Sequence, residues 1–307
     1  MDLEELNNPK TWKDINLDKM EQFSLGLIEK VLNEYDKPFV SCSFGKDSLV
    51  TVHLVHQIDD SIPVVWANTR VCHPSVYKMY KYYRNKWNII EAKTNTTFWD
   101  IVNEYGWPIG ARSTGSNKPV SECCKQLKKK PMANASKGFD LEFNGMTAYE
   151  SWTRYCRIKG DGIYKFVKSR GDNGRQVCLP IAWWRVEDVW EYIDKYNIKY
   201  PEIYDQELDD FTKMGEKKET KGVVMDRNAI RVGCWPCPLV LKYQNKVMKQ
   251  LRKYYPDMWE FLMKEKGLAD EIAKIKLGGQ GDLFEGYFNA ETKESWLNKR
   301  PCFFDKI

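Results

Sequence analysis

The segment SCSFGKDSLVTVHLV, residues 41–55, packs a glycine, a cation, a carboxylate and hydroxyls between two apolar runs. Before Ser43-Phe44-Gly45-Lys46-Asp47-Ser48, PFVSCSF reads as a buried strand. After it, Leu49, Val50, Val52, Leu54 and Val55 form the apolar face of a helix. A strand, a glycine turn and a helix N-terminus make an anion site, because the first N–H groups of the helix have no partner within it. Gly45 is read as supplying backbone angles closed to other residues, and Ser43, Lys46 and Ser48 as donors to a phosphate. The turn is not the longer Gly-x4-Gly-Lys-Ser/Thr loop, so an ordinary strand-to-helix turn is the competing reading.

The cysteines form the second chemical group. Nine are present, an odd number. SECCKQL supplies Cys123 and Cys124, and RVGCWPCPLV supplies Cys234 and Cys237. A Cys-x-x-Cys pair in a glycine- and proline-containing turn presents both sulfurs to one metal or to each other. Four thiolates could hold tetrahedral zinc or a [4Fe–4S] cluster. On spacing alone zinc leads, a dithiol redox pair comes second and buried structural cysteines third. Adjacent cysteines point apart, so Cys123 and Cys124 would share a metal only on a bent backbone. Cys42, Cys72, Cys156, Cys178 and Cys302 stand alone and read as small buried hydrophobes.

The elements that must position these groups alternate along the chain. A helical lead-in over 12–35 carries Met20, Phe23, Leu27 and Val31 on one face. The strand PFVSCSF, a helix near 47–57, the strand PVVWAN, a helix near 75–86 and the strand NIIEAK follow. DLEFNGM and QVCLPIA read as further strands, and VEDVWEYIDKY as an amphipathic helix. This alternation predicts an α/β fold: a doubly wound, mostly parallel sheet with a helical C-terminal region. Ligands of such sheets bind at the carboxyl ends of the strands, where the 43–48 turn and NTRVCHP (68–74) both fall. The expected organisation is a lead-in over 1–35, a nucleotide-binding α/β domain over 36–205, and 206–307 holding a charged insertion or lid (206–230), the second cysteine pair and helices.

The 307 residues are 42% hydrophobic, ample for a core, and carry 48 basic against 43 acidic side chains. No export-type stretch opens the chain and no run approaches a membrane span, so the expectation is a soluble, cytoplasmic protein with no membrane partner. Basic residues gather in KQLKKKP (125–131) and in Lys242, Lys246, Lys249 and Lys253 at helical spacing. A solvated helix face is the commoner reading of such a stripe, contact with a phosphate backbone the sharper one.

In family order over about 38–240, these motifs resemble the 3′-phosphoadenosine-5′-phosphosulfate reductase family of the PP-loop ATP-pyrophosphatase superfamily. SFGKDS resembles its Ser-x-Gly-x-Asp-Ser loop, and VVWANTRVCHP its second-strand segment, with Asn68 where Asp is usual. ECCKQLKKKP and GCWPCP are similar to the cysteine elements of its iron–sulfur members. NGMTAYESWTR is similar to its Gly-x-Arg-x-x-Glu-Ser-x-x-Arg segment, with Thr147 replacing arginine, and LPIAWWRVEDVWEYI to its Pro-Ile-x-x-Trp element.

The resemblance implies an adenine-nucleotide α-hydrolase-like fold and a [4Fe–4S] cluster, rather than zinc, on Cys123, Cys124, Cys234 and Cys237. It implies an adenine nucleotide bound by Ser43, Phe44, Gly45, Lys46, Asp47, Ser48, Asn68 and Arg154, with Arg112 a further candidate for phosphate or sulfate. Lys46, Asp47 and Ser48 are then the catalytic candidates. Lys46 suits a leaving pyrophosphate and points to ATP with Mg2+ as substrate. Together with the lack of the reductases' Glu-Cys-Gly-x-His segment, this makes the chain most similar to DndC-like sulfurtransferases of DNA phosphorothioation. The expected function is adenylylation of an acceptor in support of sulfur transfer. Nucleic acid, a cysteine desulfurase or another sulfur-donor protein, and a second copy of the chain are the candidate partners. An adenylyl-sulfate or phosphoadenylyl-sulfate reductase using thioredoxin is the alternative, and a non-catalytic nucleotide-binding subunit the third reading.

Overall fold

The computed structural model describes residues 3–108, 122–167, 174–206, 213–227, 229–237 and 245–271. Its main sheet contains β1 (Pro38–Ser41), β2 (Val64–Asn68), β3 (Ile89–Lys93), β4 (Leu141–Asn144), β5 (Tyr164–Val167) and β6 (Arg175–Cys178), in the order β3-β2-β1-β4-β6-β5. All neighbours are parallel except β5, which runs antiparallel to β6 at the edge. The chain starts at the centre, winds outward through β2 and β3, then returns to lay β4 on the other side of β1. That reversal between β1 and β4 is a topological switch point, where the crossovers diverge and leave a crevice at the strand ends.

Burial follows from covering both faces. Phe39 and Val40 of β1, Val64 and Val65 of β2, and Leu141 and Phe143 of β4 are fully enclosed, as parallel strands require. One face is covered by the helices Leu17–Leu32, Lys46–His56 and Val186–Lys195, which pack on one another. The other is covered by Lys130–Ala135, whose Met132 and Ala135 join Phe139 against Phe39, Val65 and Ala92. Among the described residues no helix is long and apolar enough to cross a membrane.

The lead-in forms as Leu17–Leu32, capped by the Asn16 side chain, after a separate turn at Pro9–Trp12. The expected helices near 47–57 and 75–86 are Lys46–His56 and Pro74–Tyr83. Two features differ from the sequence reading. The antiparallel edge strand β5 was not expected. The 206–230 segment was read as a core-poor insertion or lid, yet its described part is a hairpin, β7 (Glu216–Thr220) and β8 (Val223–Arg227), fastened to the domain. Met225 is buried. Asp226 N donates to Tyr149 O at 2.8 Å, and Asp226 Oδ2 accepts from Val186 N at 3.1 Å. Lys217 and Arg185 pair with the same buried carboxylate. A charged stretch is anchored through a satisfied charge rather than an apolar stripe.

Gly145, just past β4, fixes how closely β4 approaches the helix Lys46–His56. A Cβ there would lie 2.7 Å from both Asp47 O and Thr51 Oγ1. Backbone stands in the way, so relief requires the helix itself to move. Gly145→Ala is expected to lose about 1–3 kcal/mol of stability by overpacking, measured by urea unfolding with an unchanged m-value.

All three histidines, His53, His56 and His73, are pushed below the ordinary imidazole range, burial being the largest cause for each. His73 falls to about 4; its Nδ1 accepts from Ser75 N at 3.3 Å at the start of Pro74–Tyr83. A folded pKa below the unfolded one means the unfolded chain takes up the proton first. Stability should therefore fall as pH drops from about 6.5 towards 4, with His73 contributing up to about 3 kcal/mol. Urea unfolding at pH 7, 5.5 and 4.5 should show that loss, and His73→Asn, which can still cap the helix, should reduce it while the part due to His53 and His56 remains.

Candidate active site

The 43–48 turn sits at the carboxyl end of β1. Ser48 Oγ donates to Gly45 O at 2.9 Å and accepts from Ser43 N at 3.2 Å, tying the turn to the helix it starts. Lys46 N donates to Tyr204 Oη at 3.2 Å. Gly45 has an ordinary extended backbone, φ −82° and ψ 160°, so the reading of it as the unusual conformer is corrected. The left-handed residue is Phe44, at φ 57°. Its ring is enclosed by Trp66, Tyr80, Tyr83 and Trp87, which holds a conformation that would otherwise be disfavoured. Gly45 is needed for space: a Cβ would come 3.0 Å from Val232 Cγ2 and 3.2 Å from Tyr204 Oη.

Beside the turn lies a cavity of about 380 Å³, walled by the ends of β1, β2 and β4 and by residues 230–234. Ser43, Gly45, Asp47, Ser48 and Arg154 line it. Phe44, Lys46 and Asn68 do not. Phe44 is in the core. Lys46 is only 2% exposed and ion-paired through Nζ to Asp47 Oδ1. The Asn68 amide donates to Glu91 and accepts from Tyr77 Oη at 3.0 Å. The cavity's cations are instead Arg154, Arg231 and Lys128.

Arg154 and Arg231 both pair with Glu150, Arg231 at 3.5 Å. Burial, and then the charge of Arg231, lowers the Arg154 guanidinium to about 10; burial also lowers Arg231. Both remain cationic at neutral pH. Two guanidiniums sharing one carboxylate leave positive charge on the wall, and Arg231 Nε is buried with no hydrogen-bond partner. This is an environment for an anion with several acceptor oxygens.

Three cysteines, Cys42, Cys72 and Cys234, share the cavity lining with the arginines. Cys72 and Cys234 face each other in an antiparallel bridge, flanked by His73 N to Gly233 O and Trp235 N to Val71 O, each 2.9 Å. The buried Thr69 hydroxyl lies 3.3 Å from both sulfurs. Lys128, from the π-helical turn Lys125–Lys129, lines the same cavity. Negative charge at Cys234 is the largest cause raising the Lys128 ammonium, against an opposing effect of burial. Burial raises the Cys123 thiol most, followed by Cys124, Cys237 and Cys234. The two cysteine segments therefore meet, and Cys123 and Cys234 pack with Val71, Trp99, Trp107 and Trp235. Soft donors in an apolar shell suit zinc or an iron–sulfur cluster. Among the described residues, however, no three Cys, His, Asp or Glu side chains are close enough to hold an ion. The backbone at Cys124 is helical (φ −66°, ψ −31°) and passes directly into the π-helical turn Lys125–Lys129.

Sequence reasoning missed Arg231, Tyr204, Glu150 and Thr69, and took Cys72 for an isolated hydrophobe. Their signal was positional: Thr69 and Cys72 follow β2, and Arg231 stands three residues before Cys234. Of the basic run only Lys128 lines the cavity; Lys125 pairs with Glu122 at 2.7 Å. Arg112, Lys242 and Cys302 lie outside the described residues. Lys246 and Lys249 are placed only as backbone of the helix Asn245–Tyr254.

The model of the phosphoadenosine phosphosulfate reductase domain matches residues 37–240, the span holding the turn, both cysteine segments and Arg231. The adenosine 5′-phosphosulfate reductases of Lysinibacillus sphaericus (strain C3-41) and Bacillus mycoides (strain KBAB4) are 26% and 27% identical, each over 64% of this chain and 82% of the relative. An uncharacterised protein of Methanocaldococcus jannaschii is 26% identical over 92% of this chain, which spans 51% of that protein. Among solved structures, phosphoadenylyl-sulfate reductase from Candida auris superposes with a TM-score of 0.47 at 15% identity, covering 66% of this chain and 89% of that one. With two thirds of its length matched, this chain belongs to the phosphoadenosine phosphosulfate reductase domain family.

Proposed function

We propose that the cavity binds an adenine nucleotide and that the enzyme carries out sulfur chemistry at its distal end. The observation that carries this is the lining itself, which brings Arg154, Arg231 and Lys128 together with the cysteines Cys42, Cys72 and Cys234 at the carboxyl edge of a parallel sheet. The nucleotide's phosphate would lie against the 43–48 turn, and its outer anionic group between Arg154, Arg231 and Lys128. The reading favoured is reduction of adenylyl sulfate or its 3′-phosphorylated form to sulfite. Two things support it: Cys72 and Cys234 line the same cavity as the two arginines, and the bacterial relatives bear the name of that activity. In this scheme the guanidiniums hold the sulfate oxygens while the S–O bond breaks. The helix N-terminus at Lys46 then meets the charge gathering on the departing phosphate.

The Lys46-Asp47 pair keeps a second reading in play: cleavage of ATP to pyrophosphate, with adenylylation of an acceptor and sulfur transfer, as in phosphorothioation of nucleic acid. Asp47, on the cavity wall, would hold Mg2+ there. The family resemblance also supports proposing a [4Fe–4S] cluster on Cys123, Cys124, Cys234 and Cys237; these side chains would have to draw closer than they stand to hold it, and the scheme above involves no step at it. A cytoplasmic setting is part of the proposal too.

Anaerobically purified protein should release sulfite from adenylyl sulfate in the presence of a dithiol and no pyrophosphate from ATP; the reverse result would install the second reading, and nucleotide binding with neither product the non-catalytic one. Arg231→Ala should weaken adenylyl sulfate by about 1.5–3 kcal/mol, the worth of a charge-assisted contact, as read by titration calorimetry, while AMP is less affected. Lys46→Ala separates the readings again. Because Lys46 is spent on Asp47, its loss should weaken ATP and adenylyl sulfate alike; a selective loss of ATP would mark Lys46 as the pyrophosphate ligand.

A further inference from the structure

The first turn of the helix Lys46–His56 is capped by a residue far along the chain. Its N-cap residue Gly45 makes no side-chain cap bond, and the Lys46 N–H is taken instead by Tyr204 Oη at 3.2 Å. The Val232 amide bonds to the same oxygen. A phenol oxygen that accepts two N–H bonds has both lone pairs engaged, so what it still offers is its O–H. Tyr204 is only 4% exposed and lines the cavity, and among the described residues its proton has no acceptor. Asp47, whose charge reaches the phenol, is engaged by Lys46. A buried donor with no protein acceptor is costly, and one on a cavity wall is open to a ligand that can accept from it.

The ring is held in place. Trp190 stands edge-on to it at 5.2 Å and Tyr200 at 6.4 Å. The short turn Glu202–Asp205 that carries it is tied at both ends, Lys78 Nζ bonding Glu202 Oε1 at 2.6 Å and Tyr200 Oη bonding Asp205 Oδ1 at 3.0 Å. Between them the buried Gln250 Nε2 donates to Ile203 O at 3.0 Å. The donor is therefore preorganised beside the 43–48 turn, with the Arg231 charge close by.

We propose that Tyr204 is a phosphate-binding residue: its hydroxyl, fixed by the Lys46 and Val232 amides, donates to a phosphate oxygen seated beside the 43–48 turn, the task that the Lys46 ammonium does not perform. The proposal rests on the nucleotide reading above and supplies it with a donor from outside the turn. Because the phenol oxygen has no lone pair to spare, Tyr204 selects ligand acceptors over ligand hydroxyls or amines. It also carries the positive end of the helix to the ligand, since the Lys46 N–H polarises the O–H that it supports. A bond of this kind strengthens as negative charge gathers on the phosphate.

Titration calorimetry of wild type and Tyr204→Phe, with urea unfolding of both, is carried out with AMP, adenosine and pyrophosphate. The phenylalanine variant keeps the ring packing, and AMP should bind to it roughly tenfold to a hundredfold more weakly, with adenosine unchanged. Equal loss of AMP and adenosine, or loss of neither, overturns the proposal and leaves Tyr204 as a helix cap. If wild type binds pyrophosphate but neither AMP nor adenosine, the nucleotide reading falls, and the variant's loss or retention of pyrophosphate decides Tyr204 by itself. Wild type that binds none of the three overturns both. Independently of any variant, crystals of wild type grown with AMP should place Tyr204 Oη about 2.5–3.0 Å from a phosphate oxygen, and a separation beyond about 3.5 Å overturns the assignment.

Discussion

The site depends on one close approach, that of the β4 end to the first turn of the helix Lys46–His56, which is possible only because residue 145 has no side chain. Parallel strands β1 and β4 fix the two backbones side by side, and the missing Cβ lets the helix start directly over their junction. The Ser48 and Tyr204 hydroxyls can then reach the turn, and the crevice at the switch point keeps its width. Arg154 arrives on the helix that follows β4, and Arg231 on the segment that packs behind Tyr204. A larger residue at 145 would move the helix, and every contact to the turn would move with it.

The turn illustrates how strain and packing are shared between neighbours. The backbone must reverse between strand and helix, and Phe44 rather than glycine takes the left-handed conformation. A side chain is favoured there because its ring stacks with Tyr83 and Trp87 and meets Trp66 edge-on. Burial of an aromatic ring is large enough to offset the disfavour of one left-handed residue. Gly45, freed from that conformational task, leaves room for Val232 and Tyr204 to close the cavity rim.

The fold class was legible because its signals are local: β-branched runs alternating with amphipathic helices specify parallel strands and crossovers, and PVVWAN and NIIEAK appear as β2 and β3. The glycine turn was legible for the same reason. The anchored hairpin was not, since Met225 and Asp226 are held by tertiary contacts with Tyr149 and Val186 that no periodicity encodes. Nor was the fate of Lys46 readable, because motif position says that a lysine is near the turn, not that its ammonium is turned onto Asp47. Cys72 was misread because its partner lies far along the chain at Cys234, and pairing across such a distance leaves no mark on local sequence.

That distance has a kinetic meaning. The cavity wall draws on residues scattered over the segments 41–48, 66–76, 128–132, 144–154 and 230–234 and on Tyr204, so contacts between its segments close long loops. Contacts of this kind carry a large loop-closure entropy and form late, after β1, β2 and the intervening helices have provided a surface to dock on. The binding site is therefore among the last parts of the protein to exist as it folds. A nascent chain that has made the turn and the first cysteine pair still lacks the Ile230–Cys234 wall, and it gains the full cavity only when that segment has been synthesised.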